Sequence, residues 1–252
     1  MSAPTLTSYR VWDRTTRIFH WLNFLSLLVL IAVGLVILFA KELGLSNEGK
    51  VLLKTIHVYA GYVFTANLLW RLVWAFIGGP FARWRALLPF GKGYGEALGS
   101  YVRGEKTSYK GHSPLGRLAV VALLIVLTVQ AVTGLVLAGT DIYFPPFGNW
   151  IAGWIAAPGV DPATLVPYVK EMVDAEAYKE MRAFRSLYID THVINFYVIL
   201  ALIVLHIAAV VRAEVKHGGG LVSAMFTGSK ALAEPPVDDE GPVGGKNADK
   251  TV

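Results

Sequence analysis

Four apolar runs dominate this 252-residue chain: Ile18–Ala40, Ile56–Ile77, Leu118–Gly139 and Ile189–Val211. Each is long enough to carry a helix through about 30 Å of hydrocarbon, which takes roughly 20 residues. Lipid offers no water to backbone N–H and C=O groups, so such a run must satisfy them within its own helix. The sequence therefore predicts an all-α integral membrane protein, a four-helix bundle. Composition agrees, with 54% hydrophobic and only 16% charged residues and a mean hydropathy of +0.51, where soluble domains average about 25% charged. The first run exceeds the apolar core of a cleavable leader, and no small-x-small site follows it. It reads as a retained anchor.

Basic residues set the expected orientation. Fifteen Lys and Arg flank one set of helix ends, among them Arg10, Arg14 and Arg17, Arg83 to Arg117, and Arg212 onward, against seven on the other. Both termini are expected in the cytoplasm of a bacterial inner-membrane protein. The predicted organisation is a cytoplasmic arm (1–17), a transmembrane domain (18–217) with a long, partly helical periplasmic connection (140–190), and a cytoplasmic tail (218–252). The tail is polar and rich in Pro and Gly from Lys230 on, and is expected to be largely disordered. In the connection, Asp161 and Pro162 form a helix-start signature. Leu165, Val169, Met172, Val173 and Tyr178 make an apolar stripe, and Trp150 and Trp154 suit an interfacial belt. This segment reads either as a surface helix resting on the bundle or as a docking platform for a periplasmic partner.

The net charge of +5 matches these topology signals. No basic patch interleaved with aromatics appears on a soluble segment, so nucleic-acid binding is not expected. The chain has no cysteine, which excludes disulfides, thiolate-held iron–sulfur clusters and covalent haem attached through Cys. A redox cofactor here would be held without covalent bonds.

Histidines inside the apolar runs carry the chemistry, because ionisable groups in a membrane are costly. The fourth run holds two, His192 and His206, fourteen residues apart. At 3.6 residues per turn they leave the helix about 40° apart and are separated by about 21 Å along its axis. By helix direction, His57 shares its depth with His192 on the periplasmic side, and His20 shares its depth with His206 on the cytoplasmic side. Zinc would ask for three or four N, S or O ligands. Haem iron brings four nitrogens of its own and needs two axial ligands, and a helical bundle accommodates the flat macrocycle. Two bis-histidine haem sites are therefore predicted.

Further residues fit this reading without requiring it. Gly34, Gly61 and Gly134 either let the backbone approach a macrocycle or serve ordinary helix packing. Arg17, Arg71 and Arg212, at cytoplasmic helix ends, either pair with haem carboxylates or extend to the interface. His112 and His217 read as solvated loop residues or, with Arg117, as parts of a quinone pocket where an imidazole exchanges a proton with a carbonyl oxygen. The rival readings are a haem-free transporter or proton-conducting protein, whose histidines would need acidic partners, and a structural anchor without redox chemistry.

The chain resembles the bacterial di-haem cytochromes b that form the membrane subunit of respiratory nickel–iron hydrogenases, with their stand-alone relatives. The resemblance covers residues 10 to 232 and rests on "RIFHWLN", "IHVYAGYVFTANLLWRLVWAFIG", "GHSPLGRLAVVALLIVLTVQAVTG", "HVINFYVILALIVLHIAAVVRAEV" and "HGGGLVSAMFTG" in that order. It implies His20, His57, His192 and His206 as axial ligands of two haem b groups. It also implies electron transfer between the quinone pool and a periplasmic partner, which would be a hydrogenase small subunit, another dehydrogenase or a cytochrome c. The 140–190 connection is longer than in the simplest members and lies where such a partner would dock.

Overall fold

Each of the four apolar runs becomes a helix, and side-chain caps decide where each one begins. α1 (Arg14–Leu38) follows Asp13, whose carboxylate accepts the Thr16 N–H at 2.7 Å. α2 (Asn47–Ile77) follows Ser46, which accepts the Gly49 N–H at 3.1 Å. After two short helices, α3 (Trp84–Leu87) and α4 (Tyr94–Val102), α5 (Pro114–Ile142) starts behind Ser113, which accepts from Gly116. Pro114 takes the first helical position, where its missing N–H costs nothing. α6 (Gly148–Ile155) precedes α7 (Ala175–His217), which Asp174 caps through the Ala177 N–H. α8 (Leu221–Thr227) completes the helices. α1, α2, α5 and α7 are long and apolar enough to cross a membrane.

This computed structural model describes residues 6–105, 108–217 and 220–238, without the side chains of 216 and 217. The chain forms two compact units, and each of the four long helices contributes a segment to both.

The first unit takes in residues up to Trp21, Leu69–Ile125 and the chain from Ala201 on. Here the all-α expectation needs an addition. β1 (Thr7–Arg10) pairs antiparallel with β2 (Ser229–Leu232), Thr7 opposite Leu232 and Arg10 opposite Ser229. Val11, Trp12 and Ala224 form a small core beside this ribbon, with Tyr9, Phe81 and Met225 packed on it. The expected disorder from Lys230 on is corrected as far as Asp238. Lys230 is buried, and its ammonium donates to the carbonyls of Tyr109 (3.3 Å) and Gly111 (2.7 Å). Asp238 accepts from the backbone N–H groups of Lys110 and Gly111. Composition alone misses these bonds because their acceptors and donors lie over a hundred residues away. Residues 239–252 of the expected tail lie outside the described residues.

The second unit takes in Leu22–Leu68 and Val126–Leu200. The connection between α5 and α7 is only partly the surface helix expected from Asp161. The Asp161 side chain does cap, accepting the Ala163 N–H, and Pro162 does open the turn. That turn ends at Thr164, and a second single turn covers Lys170–Met172. Between them Pro167 lacks an N–H, and Tyr168 sits at φ 71°, so no continuous helix forms before α7. Instead the segment folds back on α6: Ala157 N–H donates to the Met172 carbonyl and Asp174 N–H to the Ile155 carbonyl. Ile151, Ile155 and Met181 form the core there, joined by Leu165, Val173 and Tyr178 of the expected stripe, whereas Val169 is exposed. Gly148 permits the tight turn from α5 into α6, since a Cβ on it would fall 2.0 Å from the Tyr143 carbonyl oxygen. α7, with 43 residues, measures about 64 Å, roughly twice the hydrocarbon thickness.

Candidate functional site

In the second unit α2 and α7 bring His57 and His192 together edge-on, with ring centroids 6.4 Å apart and planes at 70°. A metal ion held about 2.0–2.1 Å from one nitrogen of each ring leaves the centroids roughly 6 Å apart. Both side chains are half-buried. The Nδ1 atom of His57 is shielded from solvent and has no hydrogen-bond partner among the described residues. His192 is held by α5: its Nδ1 lies 2.8 Å from the Thr133 hydroxyl and its Nε2 lies 3.0 Å from the Gln130 amide nitrogen. Gln130 is itself fixed, accepting from the Asn195 amide, which also donates to the Val126 carbonyl.

Two of the three predicted glycines touch these rings. A Cβ on Gly34 would meet Cε1 of His57 at 3.2 Å, and one on Gly134 would meet Cε1 of His192 at the same distance. A side chain at either place would push the imidazole aside. Gly61 differs: a Cβ there meets nothing within 4 Å. It lies four residues after His57, on the same helix face, so open space adjoins the imidazole one turn along α2.

At one end of this unit a charged cluster joins the same three helices. Asp141, late in α5, receives the Lys54 ammonium from α2 at 2.6 Å and is gripped by Arg185 of α7 through Nε and Nη2. All three side chains are largely buried. The Lys54 ammonium also lies 5.4 Å from the Tyr168 ring centroid.

The first unit holds the other two span histidines. They are His20 on α1 and His206 on α7. Nδ1 of His20 is shielded and without a partner among the described residues, whereas His206 is exposed on α7. Arg17 donates to the Phe226 carbonyl of α8, and Trp21 beside it donates to Met225 O at 3.0 Å. Arg71 is buried, donates to the Ala82 carbonyl and lies beneath the Phe19 ring, so it does not extend to an interface. Arg212 lines an open, otherwise apolar groove of about 790 Å³ along α7.

His112 departs from the solvated-loop reading. Its ring packs against Trp12 at 4.7 Å between centroids, and its Nδ1 is shielded and without a partner among the described residues. Burial, then the nearby charges of Lys230, Arg71 and Arg117, drive its pKa down to about 3. At neutral pH it is an uncharged hydrogen-bonding group, not an acid. Arg117 donates to the carbonyls of Arg85 and Leu88. Lys230, over the Trp12 ring at 5.4 Å, is lowered to about 8 by burial, against the opposing pull of Asp238. The His217 side chain lies outside the described residues.

Among the described residues no three or more His, Cys, Asp or Glu side chains converge as a metal site would require. Paired imidazoles suit a group that brings its own equatorial ligands. The family model for prokaryotic cytochrome b561 matches residues 11–228. The chain belongs to the prokaryotic cytochrome b561 family. It is thus a membrane b-type cytochrome, and electron transfer with haem b goes with the family. Its relatives include proteins named probable Ni/Fe-hydrogenase B-type cytochrome subunit. That of Azotobacter vinelandii is 26% identical over 92% of both chains. That of Cupriavidus necator is 21% identical over 92% of this chain and 91% of its own. A probable Ni/Fe-hydrogenase 1 B-type cytochrome subunit of Escherichia coli K12 is 29% identical over 54% of this chain and 62% of its own. The cytochrome's residues fit a haem at His57–His192: neighbouring rings 6.4 Å apart, an orphaned Nδ1 on His57, glycines against both imidazoles and open space at Gly61.

Sequence reasoning missed Gln130, Thr133, Asn195 and the Lys54–Asp141–Arg185 cluster. The first three carried a readable signal, since polar residues three apart on α5 and three from His192 on α7 stand out in apolar spans. The charged cluster gave none, because each member sits at a span end where a charge is ordinary.

Proposed function

We propose that this cytochrome carries electrons across the membrane between a redox partner on its periplasmic side and quinone, through two haem b groups. His57 and His192 would hold one and His20 and His206 the other. The neighbouring imidazoles of His57 and His192, with centroids 6.4 Å apart, carry this reading. Bound haem supplies reversible one-electron exchange at its iron. The chain's own residues do the rest: Thr133 orients His192, Gly34 and Gly134 leave room for both rings, and the apolar helix faces keep water away.

The partner suggested by the relatives' names is a nickel–iron hydrogenase; another dehydrogenase or a cytochrome c would use the same outer haem. Quinone is placed near the His20–His206 pair, beside His112, Arg117 and His217. The unpartnered Nδ1 of His112 supports this placement, since a neutral imidazole can hydrogen-bond a quinone oxygen. By the excess of basic flanks, both termini face the cytoplasm of the inner membrane.

The test is haem stoichiometry and the visible spectrum of the purified chain. Wild type should hold two haems with b-type α bands. His57→Ala and His192→Ala should lose the same haem, and His20→Ala and His206→Ala the other. A colourless wild type, or His20→Ala and His206→Ala losing different haems, would refute the reading.

A further inference from the structure

We propose that Lys54 and Arg185, steadied by Asp141, form the seat for a carboxylate side chain of the haem held by His57 and His192. The proposal rests on the axial-ligand reading and extends it to named residues at one rim of that site.

Helical spacing shows why the cluster belongs to the haem site. Lys54 precedes His57 by three residues on α2, and Arg185 precedes His192 by seven on α7. Asp141 follows Gly134, which packs on the His192 ring, by seven on α5. Steps of three and seven keep residues on one helix face. Three helices that meet at the imidazoles therefore meet again, one or two turns along, at the charges. All three displacements run toward the same end.

Charge balance shows what is missing there. Two cations share a single carboxylate, Lys54 Nζ at 2.6 Å and Arg185 Nη2 at 3.0 Å from Asp141 Oδ2. Their side chains are 18% and 13% exposed, and that of Asp141 is 12% exposed. The described ion pairs give neither cation a second carboxylate. A buried excess charge is expensive unless an anion joins it. Lys54 has further N–H donors, and Arg185 keeps Nη1 beyond its two bonds to Asp141. The Tyr168 ring near the Lys54 ammonium stabilises the cation without neutralising it. Haem brings two carboxylates on one edge of an otherwise apolar disc. With its iron between His57 and His192, a carboxylate edge turned toward this end finds the surplus cation.

The seat is tested by crossing a protein change with a cofactor change. The full chain, made without haem, is loaded with haem or with haem dimethyl ester, whose carboxylates are blocked, and the rate of haem loss to a scavenger is recorded for the His57–His192 pair. Lys54→Met should speed loss of ordinary haem roughly tenfold or more, the size of one charge-assisted hydrogen bond. On the ester, which already lacks the contact, Lys54→Met should change the rate little. Lys54→Arg should restore slow loss of ordinary haem, which separates the missing charge from a fold defect. Equal acceleration of haem and ester by Lys54→Met would show that the cation serves the fold or a free anion, and would overturn this assignment alone. No acceleration of either would overturn it as well. A wild-type chain without haem at His57–His192 would overturn the two-haem reading and this assignment with it.

Discussion

At the residue scale, Thr133 and His112 illustrate two ways of placing a histidine nitrogen. His192 Nδ1 is tied to the Thr133 hydroxyl, so Nε2 is the nitrogen offered to a metal, where it would take the place of the Gln130 amide. Partners of this kind typically matter by about 10–100-fold in metal affinity. Thr133→Val, close in shape, should weaken haem retention at this pair by that order and leave the other haem in place, as read by haem titration. Unchanged retention would show that the hydroxyl serves only the α5 backbone. His112 is the opposite case, an imidazole held neutral by burial with its pKa near 3 against 6.5 in the unfolded chain. The unfolded chain takes up a proton below about pH 6.5 and the folded one does not. Stability is therefore full above that pH and falls as the pH drops towards 3, by up to about 1.4 kcal/mol per pH unit. Thermal unfolding of wild type and His112→Gln between pH 7 and 4.5 should show the steeper decline in wild type. Parallel profiles would mean that the ring titrates normally.

At the element scale, the long helices were legible from the length of their apolar runs, while their starts, four to fourteen residues earlier, are set by polar caps outside those runs. Asp13 shows how much one cap carries. Its carboxylate accepts the Thr16 N–H and, with the other oxygen, the Trp74 indole N–H at 3.1 Å. Burial pushes its pKa up, but those hydrogen bonds outweigh burial and hold it below the usual carboxylate value. Asp13→Ala should cost about 1–2 kcal/mol, a lost cap plus a stranded indole donor. Asp13→Asn, which still accepts, should cost less. Melting in detergent measures both, and equal losses would put the effect on charge instead of the cap. The connection after α5 was harder to read, since an Asp-Pro start looks the same whether the helix runs one turn or five. Pro167 and the left-handed Tyr168 end it, and the fold-back onto Ile151 and Ile155 pairs residues with no local signal between them.

At the scale of the whole molecule, an even number of candidate spans accords with the proposed topology, in which both termini share one side of the membrane. On the proposed reading, quinone near His112 would draw protons from the cytoplasm while electrons enter at His57–His192, and turnover would separate charge, each worth about 2.3 kcal/mol per 100 mV. In proteoliposomes with reductant outside and quinone in the bilayer, turnover should build a potential that a dye reports. Substitutions at His112 or His217 should slow both the potential and haem oxidation by quinone while leaving both haems bound and reducible. If changes around His57 and residues 140–190 alone slowed quinone reaction, the pocket would be on the other side.

The sequence by itself determined the four apolar runs, although the helices begin four to fourteen residues before them, and the four span histidines. These depend on run length, on the 3.6-residue period and on the cost of a titratable group in lipid, all readable along the chain. The pairing of His57 with His192 by depth was also readable; only the tertiary structure decided how closely the two rings approach, that Thr133 and Gln130 hold His192, and that Lys54, Asp141 and Arg185 converge. It also drew Lys230 out of an apparently structureless tail and buried it against Trp12. Those facts join residues tens to hundreds of positions apart. Their energy comes from contacts that form only when separate helices pack, so no local pattern of residues encodes them.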